Sequence, residues 1–406
     1  MGHAEHDTAS EPTSERGDPR SLNGVRALSV FAAIAAHMSF QLAASSGLKA
    51  RAVAVGFSGM NVLFVMSGLL NASMLSAEFR RFGSASPRAF LSRRALRILP
   101  PLLVVVAAVI LWTQLGPVSA KLAQRTLHDA GAALTFTTSW ARVFGVTNRL
   151  SFFAAMWTLS VEVQFYLLLA FTLGWALRRW GPSKVCSGLA WLVGVFVLER
   201  AFVTWLNVDR ADGRTIARFL GTPDYLALAF ERVYYTIDGH ADAILIGTLL
   251  GVAIGTGLLD PVAFVRRVPT GVFVAAALAV VTFWVGLDLS SPTQFWALNA
   301  FGGWTVLGLA QACGLLWLLG RRSRLGDALC HPVLQFFGDI SYSAYLWHWP
   351  VMLVLTDDRL GNPPVGLRMA IQATTFVALA TATRVVVELP LLARKRRFGR
   401  VTSPLR

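Results

Sequence analysis

The sequence predicts an all-α fold, a polytopic membrane helix bundle, and three observations carry that prediction. Of 406 residues, 55% are hydrophobic and 15% charged, against about a quarter charged in soluble domains. Several apolar stretches run about 20 residues with one charge or none, the length needed to cross a hydrocarbon core. The basic residues gather at the ends of those stretches, as "RRALR" at 93–97, "RRW" at 178–180, "RRSR" at 321–324 and "RKRR" at 394–397. That is the positive-inside pattern. It also accounts for the net charge of +15 without nucleic acid, which the distribution argues against.

Taken in order, residues 1–22 are polar, lack the apolar core of a signal peptide, and read as a disordered cytoplasmic tail. Residues 23–393 form the transmembrane domain, and 394–406 a basic cytoplasmic tail. Apolar segments fall at 24–44, 55–75, 98–116, 157–177, 185–206, 239–259, 271–289, 299–320, 336–356 and 368–392. These make about ten transmembrane helices, so both termini lie on one side. With the N-terminus cytoplasmic, the inner loops hold Arg80, Arg81, Arg88, Arg93, Arg94, Arg97, Arg178, Arg179, Lys184, Arg266, Arg267, Arg321, Arg322 and Arg324. The expected location is the cell membrane, multi-pass. The connections 117–156 and 207–238 are long and outer, and the piece "GAALTFTTSW" in the first reads as re-entrant or interfacial. No second domain is expected. Three scattered cysteines form no CxxC and suggest no metal site or disulfide framework.

Ionisable groups inside apolar spans are costly and face an interior cavity or one another. The first span, "NGVRALSVFAAIAAHMSF", carries Arg26 and His37 eleven residues apart. That is three turns with roughly 20° of drift, so both look in one direction about 16 Å apart along the axis. Arg93, Arg94 and Arg97, in "SRRALRILPP", make a compact basic face at the cytoplasmic interface suited to phosphate, with Pro100 and Pro101 at the expected helix start. Glu162, in "WTLSVEVQFYLLLA", needs a partner such as Arg26, one of the arginine triad or a histidine; Tyr166 lies one turn further on. In "GDISYSAYLWHWPV", Ser341, Tyr345 and His348 share a face, and the flanking tryptophans read as an interfacial belt. Asp242 lies inside another span.

With these residues in view, the sequence resembles the integral-membrane acyltransferase-3 family, which transfers acyl groups, usually acetyl, onto carbohydrates and related hydroxylated products. The likeness runs from about 20 to 395 through the Arg26/His37 pair, "GMNVLFVMSGLL" at 59–70, "RRALRILP" at 93–100, "WTLSVEVQFY" at 157–166, "GHADAILIG" at 239–247, "ISYSAYLWHWPV" at 340–351 and "VELPL" at 387–391. The resemblance implies His37 as the general base, or alternatively as the bearer of an acyl-histidine, supported by Arg26 and Glu162. It implies Arg93, Arg94, Arg97 and Ser67 as binders of acyl-coenzyme A, most simply acetyl-coenzyme A, with no metal. Gly68, beside Ser67, is expected to let backbone approach the acyl chain. Tyr166, Asp242, Tyr345 and His348 are expected on the acceptor side. The sequence departs from the family at Asn61, Val163 and His240, which bears on acceptor identity more than on reaction type.

The function expected is therefore an acyl-coenzyme A-dependent O-acyltransferase. Its partners are the lipid bilayer and an acceptor that is either a cell-surface glycan or a small glycosylated or polyketide-type product such as a macrolide. The alternative is a proton-coupled transporter or flippase, which the arginine triad disfavours because a proton relay needs no polyphosphate clamp. A structural scaffold would leave the buried charges without a purpose. Oligomeric state is not encoded in any of these features.

Overall fold

The computed structural model describes residues 16–42, 47–147, 151–208, 233–286, 298 and 301–393. The remainder of the polar N-terminal segment and the basic tail 394–406 lie outside these residues, as does most of the outer connection 207–238. Among the described residues the chain is helical, with no strand.

Helix α1 spans Ser21–Ser39. Just before it, the Gly17 backbone amide donates to the Leu319 carbonyl at 3.2 Å, so the chain is already packed ahead of the expected start at 23. Arg20 clips Asp18 at 2.7 Å, and that hydrogen bond holds the Asp18 carboxyl below its ordinary range. Helix α2, Gly47–Phe82, has 36 residues, about 54 Å at 1.5 Å per residue. It therefore outreaches the bilayer core and carries Arg80 and Arg81 at its end. Helix α3 spans Pro87–Leu115, followed by the short helices α4 (Ala120–Leu134) and α5 (Thr138–Val143).

Helix α6, Trp157–Val208, is two helices joined where Gly181 adopts φ 76° ahead of Pro182. Glycine alone takes that conformation without strain. Next come α7 (Ala241–Thr256), α8 (Pro261–Arg267), α9 (Thr270–Gly286), α10 (Gly303–Gly320) and α11 (Arg324–Leu329). The chain closes with α12 (Pro332–Val354), α13 (Asp357–Leu360) and α14 (Val365–Thr383), a π-helical turn over Arg384–Glu388, and α15 (Leu389–Ala393).

Helix occupies most of the described part of each of the ten expected spans, but the count of ten crossings is not established by length and composition. Among the described residues six helical stretches are long and apolar enough to cross a membrane, or seven if α8 and α9, bent by 99°, count as one. Helices α1 and α12 are not among the six, and the reason is chemical. Asn23, Arg26 and His37 dilute α1, and Asp339, Ser341, Ser343 and His348 dilute α12. These two helices pack on each other, with α1 also against α2 and α12 against α14, so their polar side chains meet inside the bundle.

Two expectations about α3 and α2 are corrected. Helix α3 does not begin at Pro100. It begins at Pro87, where the Ser86 hydroxyl accepts from the Ala89 amide at 3.3 Å, a serine cap with proline in the first turn. Pro100 and Pro101 sit inside the helix, and the arginine triad occupies its second and third turns. Gly68 meets a neighbouring helix: a Cβ there would stand 2.2 Å from the Ile244 carbonyl oxygen. On the facing helix, Cβ atoms at Gly247, Gly251 and Gly255 would fall 1.9, 2.5 and 2.5 Å from α2 carbonyl oxygens. The stripe of small residues brings α2 and α7 into backbone contact, and it fixes α2 as one wall of the site.

Candidate functional site

A cavity of about 150 Å³ opens among α1, α2, α3, α6 and α12. Seven residues expected at the site line it: Arg26, Ser67, Arg94, Arg97, Glu162, Tyr166 and Tyr345. They come from five helices, so no local stretch of sequence contains the site.

On one wall a hydrogen-bonded chain runs from α2 to α6. The Tyr166 hydroxyl donates to Glu162 Oε2 at 3.1 Å, one turn back on the same helix. With that proton committed, the Ser67 hydroxyl 3.2 Å away donates to the Tyr166 oxygen. Asn71 Nδ2 in turn donates to the Ser67 carbonyl at 2.7 Å. Among the described residues Glu162 makes no ion pair with the arginine or histidine partners expected for it; its hydrogen-bond partner is the Tyr166 phenol. The Arg26 guanidinium Nη1 donates to Asn23 Oδ1 at 3.0 Å.

The arginine triad divides. Arg94 lies over the rings of Phe90 and Tyr166, its guanidinium carbon 5.5 Å from each centroid, and its buried Nε has no hydrogen-bond partner among the described residues. Arg97 lines the same cavity. Among the described residues neither enters an ion pair. Arg93 turns the other way: it is buried and faces the Glu78 carboxylate of α2 at 3.6 Å, and Glu78 also accepts from the Ser86 amide at 3.0 Å. Arg93 thus braces the α2–α3 corner and takes no part in the cavity wall.

His37 and His348 stand apart from the lining and form a pair of their own. His37 Nδ1 lies 2.8 Å from His348 Nε2, and His348 Nδ1 lies 2.6 Å from the Tyr345 carbonyl oxygen. Trp349 stands edge-on to His37 with ring centroids 5.2 Å apart, and its indole N–H is anchored on the Ser151 carbonyl at 2.9 Å. Tyr345 joins the two regions: its side chain lines the cavity, its hydroxyl donates to the Ala155 carbonyl at 3.0 Å, and its own carbonyl holds His348.

Asp242, expected on the acceptor side, lies elsewhere. It is fully buried against Arg200 at 2.9 Å and accepts from the Thr305 hydroxyl at 2.5 Å, while Arg200 also donates to the Gly239 carbonyl at 3.1 Å. This closed network ties α6, α7 and α10 together. Of the three departures from the family pattern, Asn61 donates to Gln311 at 3.0 Å, a structural bond. Val163 packs against the main hydrophobic core. His240 stacks 4.7 Å from Phe64 and hydrogen-bonds the Tyr234 carbonyl at 2.6 Å.

Sequence reasoning missed Asn71, Thr158 and Tyr342 in the lining, and Arg200 in the interior. Asn71 was visible as a polar residue one helical turn after Ser67, and Arg200 as a charge inside an apolar span. Tyr342 carried no such mark, although its hydroxyl donates to the Ile98 carbonyl at 2.9 Å and so joins α12 to α3. Among the described residues no cluster of three metal-ligating side chains occurs.

Fold and site together define a multi-pass membrane protein whose internal cavity is lined by guanidinium groups, with a histidine pair carried on two of the helices that wall it. A family model described as an acyltransferase domain matches residues 20–386, and the chain belongs to that family of integral-membrane acyltransferases. It is 25% identical over 385 residues to the peptidoglycan O-acetyltransferase OatA of Listeria monocytogenes, covering 93% of this chain and 56% of that protein. To the O-acetyltransferase OatA of Staphylococcus aureus it is 25% identical over 392 residues, covering 93% and 57%. To the putative peptidoglycan O-acetyltransferase YrhL of Bacillus subtilis it is 25% identical over 388 residues, covering 91% and 54%. The chain thus spans little more than half the length of these relatives. No solved structure matches it.

Proposed function

We propose that this chain is a cell-membrane O-acyltransferase that moves an acyl group, most simply acetyl, from acyl-coenzyme A to a hydroxyl of a glycan. The observation that carries the reading is the pairing of two cavity-lining arginines, Arg94 and Arg97, with a histidine pair on the helices that wall the same cavity. Guanidinium groups that line a membrane cavity and, like Arg94 and Arg97, enter no ion pair among the described residues suit phosphate groups, which they grip through forked, charge-assisted hydrogen bonds. Arg26 adds a third positive charge. The pantetheine arm would then extend along α1, past Ser67 and Tyr345, toward His37 about three turns above Arg26.

In this reading His37 is the general base. It takes the proton from the acceptor hydroxyl as that oxygen attacks the thioester carbonyl. The tetrahedral intermediate collapses with loss of the coenzyme A thiolate, which receives the proton from the imidazolium, so ester and thiol are the products. Glu162, held by Tyr166, balances the charge of the arginines when the site is empty. The names of the relatives favour a glycan as acceptor, and the proposed topology has the arginines on the cytoplasmic side, where acyl-coenzyme A is made.

The test is transfer of label from radiolabelled acetyl-coenzyme A by purified protein in liposomes, with peptidoglycan fragments and a glycosylated macrolide offered as acceptors. His37→Ala is expected to insert and fold normally yet lose about 10²-fold or more of the transfer rate, the usual contribution of a positioned base. Equal incorporation by wild type and variant would remove His37 from the chemistry.

A further inference from the structure

We propose that His348 is a positioning residue that sets the tautomer of His37 and leaves its Nε2 lone pair free to accept a proton; the proposal rests on the reading of His37 as the base. The argument follows one proton at a time. The Tyr345 carbonyl can only accept, so His348 Nδ1, 2.6 Å away, carries a hydrogen. A neutral imidazole has one N–H, so His348 Nε2 is then a lone pair. His37 Nδ1, 2.8 Å from that lone pair, must be the donor. The one remaining ring nitrogen of His37 is Nε2, and it is unprotonated. A general base needs that form, and in water an imidazole is not confined to it. The same logic governs metal-bound and triad histidines, where the partner of one nitrogen decides what the other can do.

The surroundings fit a device that holds orientation. His348 is fully buried and hydrogen-bonds within its own helix α12, so it cannot swing. His37 occupies the last turn of α1, where the helix is about to end at Ser39. Trp349 stands edge-on to its ring and is itself pinned to Ser151. The partnership therefore spans two helices, and α12 supplies both the relay imidazole and the indole that limits rotation.

Two amides separate this role from simple bracing of α12. In His348→Gln the amide oxygen reaches the position of Nε2 and can accept from His37. In His348→Asn the shorter side chain keeps the bond to the Tyr345 carbonyl but cannot reach His37. The Gln variant is expected to retain kcat within about tenfold of wild type, and the Asn variant to lose about 10²-fold or more in kcat at an unchanged KM for acetyl-coenzyme A. An Asn variant as active as the Gln variant, or more so, would overturn the proposal, because bracing alone predicts that order. A second readout needs no turnover: nitrogen NMR of protein carrying isotope-labelled histidine, with His37→Asn identifying the His37 signals. Wild type should show His37 protonated at Nδ1 and bare at Nε2, and His348→Asn should lose that bias. A protonated Nε2 in the wild type sinks the assignment, whereas absent acetyl transfer with the expected spectrum sinks only the functional reading.

Discussion

Three arginines within five residues divide between two roles because a helix turns 100° per residue. Viewed down α3, Arg97 lies between Arg93 and Arg94, about 40° from the first and 60° from the second. Arg94 and Arg97 share the cavity, while Arg93 is drawn to Glu78. On the proposed function Arg97→Ala would remove charge-assisted bonds to phosphate, and a loss of about 1.5–3 kcal/mol is expected to raise the KM for acetyl-coenzyme A by about 10- to 100-fold. Replacing Arg93 leaves Glu78 buried without its counter-charge. That costs about 3 kcal/mol of stability, read as a lower melting temperature in detergent with little change in KM. The reverse pattern would show that the roles have been exchanged. The residue types of this site were legible in the sequence, because a charge in an apolar span announces itself. Which of the three arginines meets the ligand was not, since that depends on Glu78, a fully buried residue on another helix whose own segment reads as a solvated end.

Among elements, the pairing of α2 with α7 sets the position of the cavity wall that bears Ser67 and Asn71. Its glycines are spaced by four residues on α7, and each sits where any side chain would strike the facing backbone. At Gly251 a Cβ would come within 2.5 Å of the Leu69 carbonyl oxygen and 2.8 Å of the Ser73 amide nitrogen. Backbone cannot yield as a side chain can, so Gly251→Val must push the helices apart, at about 1–3 kcal/mol for an overpacked site. The expected result is a lower melting temperature together with reduced acetyl transfer, because Ser67 and Asn71 move with α2. Gly314→Ala on α10, with open space around it, is the matched control and should leave both unchanged. The long helices were readable from apolar length, but α4 and α5 lie in the stretch 117–156 that reads as a connection, because they are too short and polar to register as spans. The start of α3 was misjudged because Pro100–Pro101 looked like a beginning, while the true signal was the Ser86–Pro87 cap thirteen residues earlier. Helix partners were invisible in principle: the glycine spacing on α7 marks a close approach but does not say to what.

For the whole molecule, the distribution of arginines makes a statement about sides. Arg80 and Arg81 lie at the end of α2, Arg178 and Arg179 precede the break in α6, Arg266 and Arg267 end α8, and Arg321 and Arg322 follow α10. If the ten expected spans alternate across the bilayer, all of these fall on one face, together with the Arg94–Arg97 end of the cavity. Positive residues are retained on the cytoplasmic side, the side on which the proposed acyl-coenzyme A donor is made. The cysteines provide the check, since all three are free thiols: Cys186 in the second half of α6, Cys313 within α10 and Cys330 between α11 and α12. In a variant keeping Cys330 alone, with Cys186→Ser and Cys313→Ser, a membrane-impermeant thiol reagent should label inside-out vesicles and spare intact spheroplasts. A cysteine placed at Lys121, at the start of α4, should show the opposite pattern. Labelling of Cys330 from outside would invert the bundle. The arginine-lined end would then face a compartment without coenzyme A, and the donor assignment would fall with the topology even if His37 remained essential.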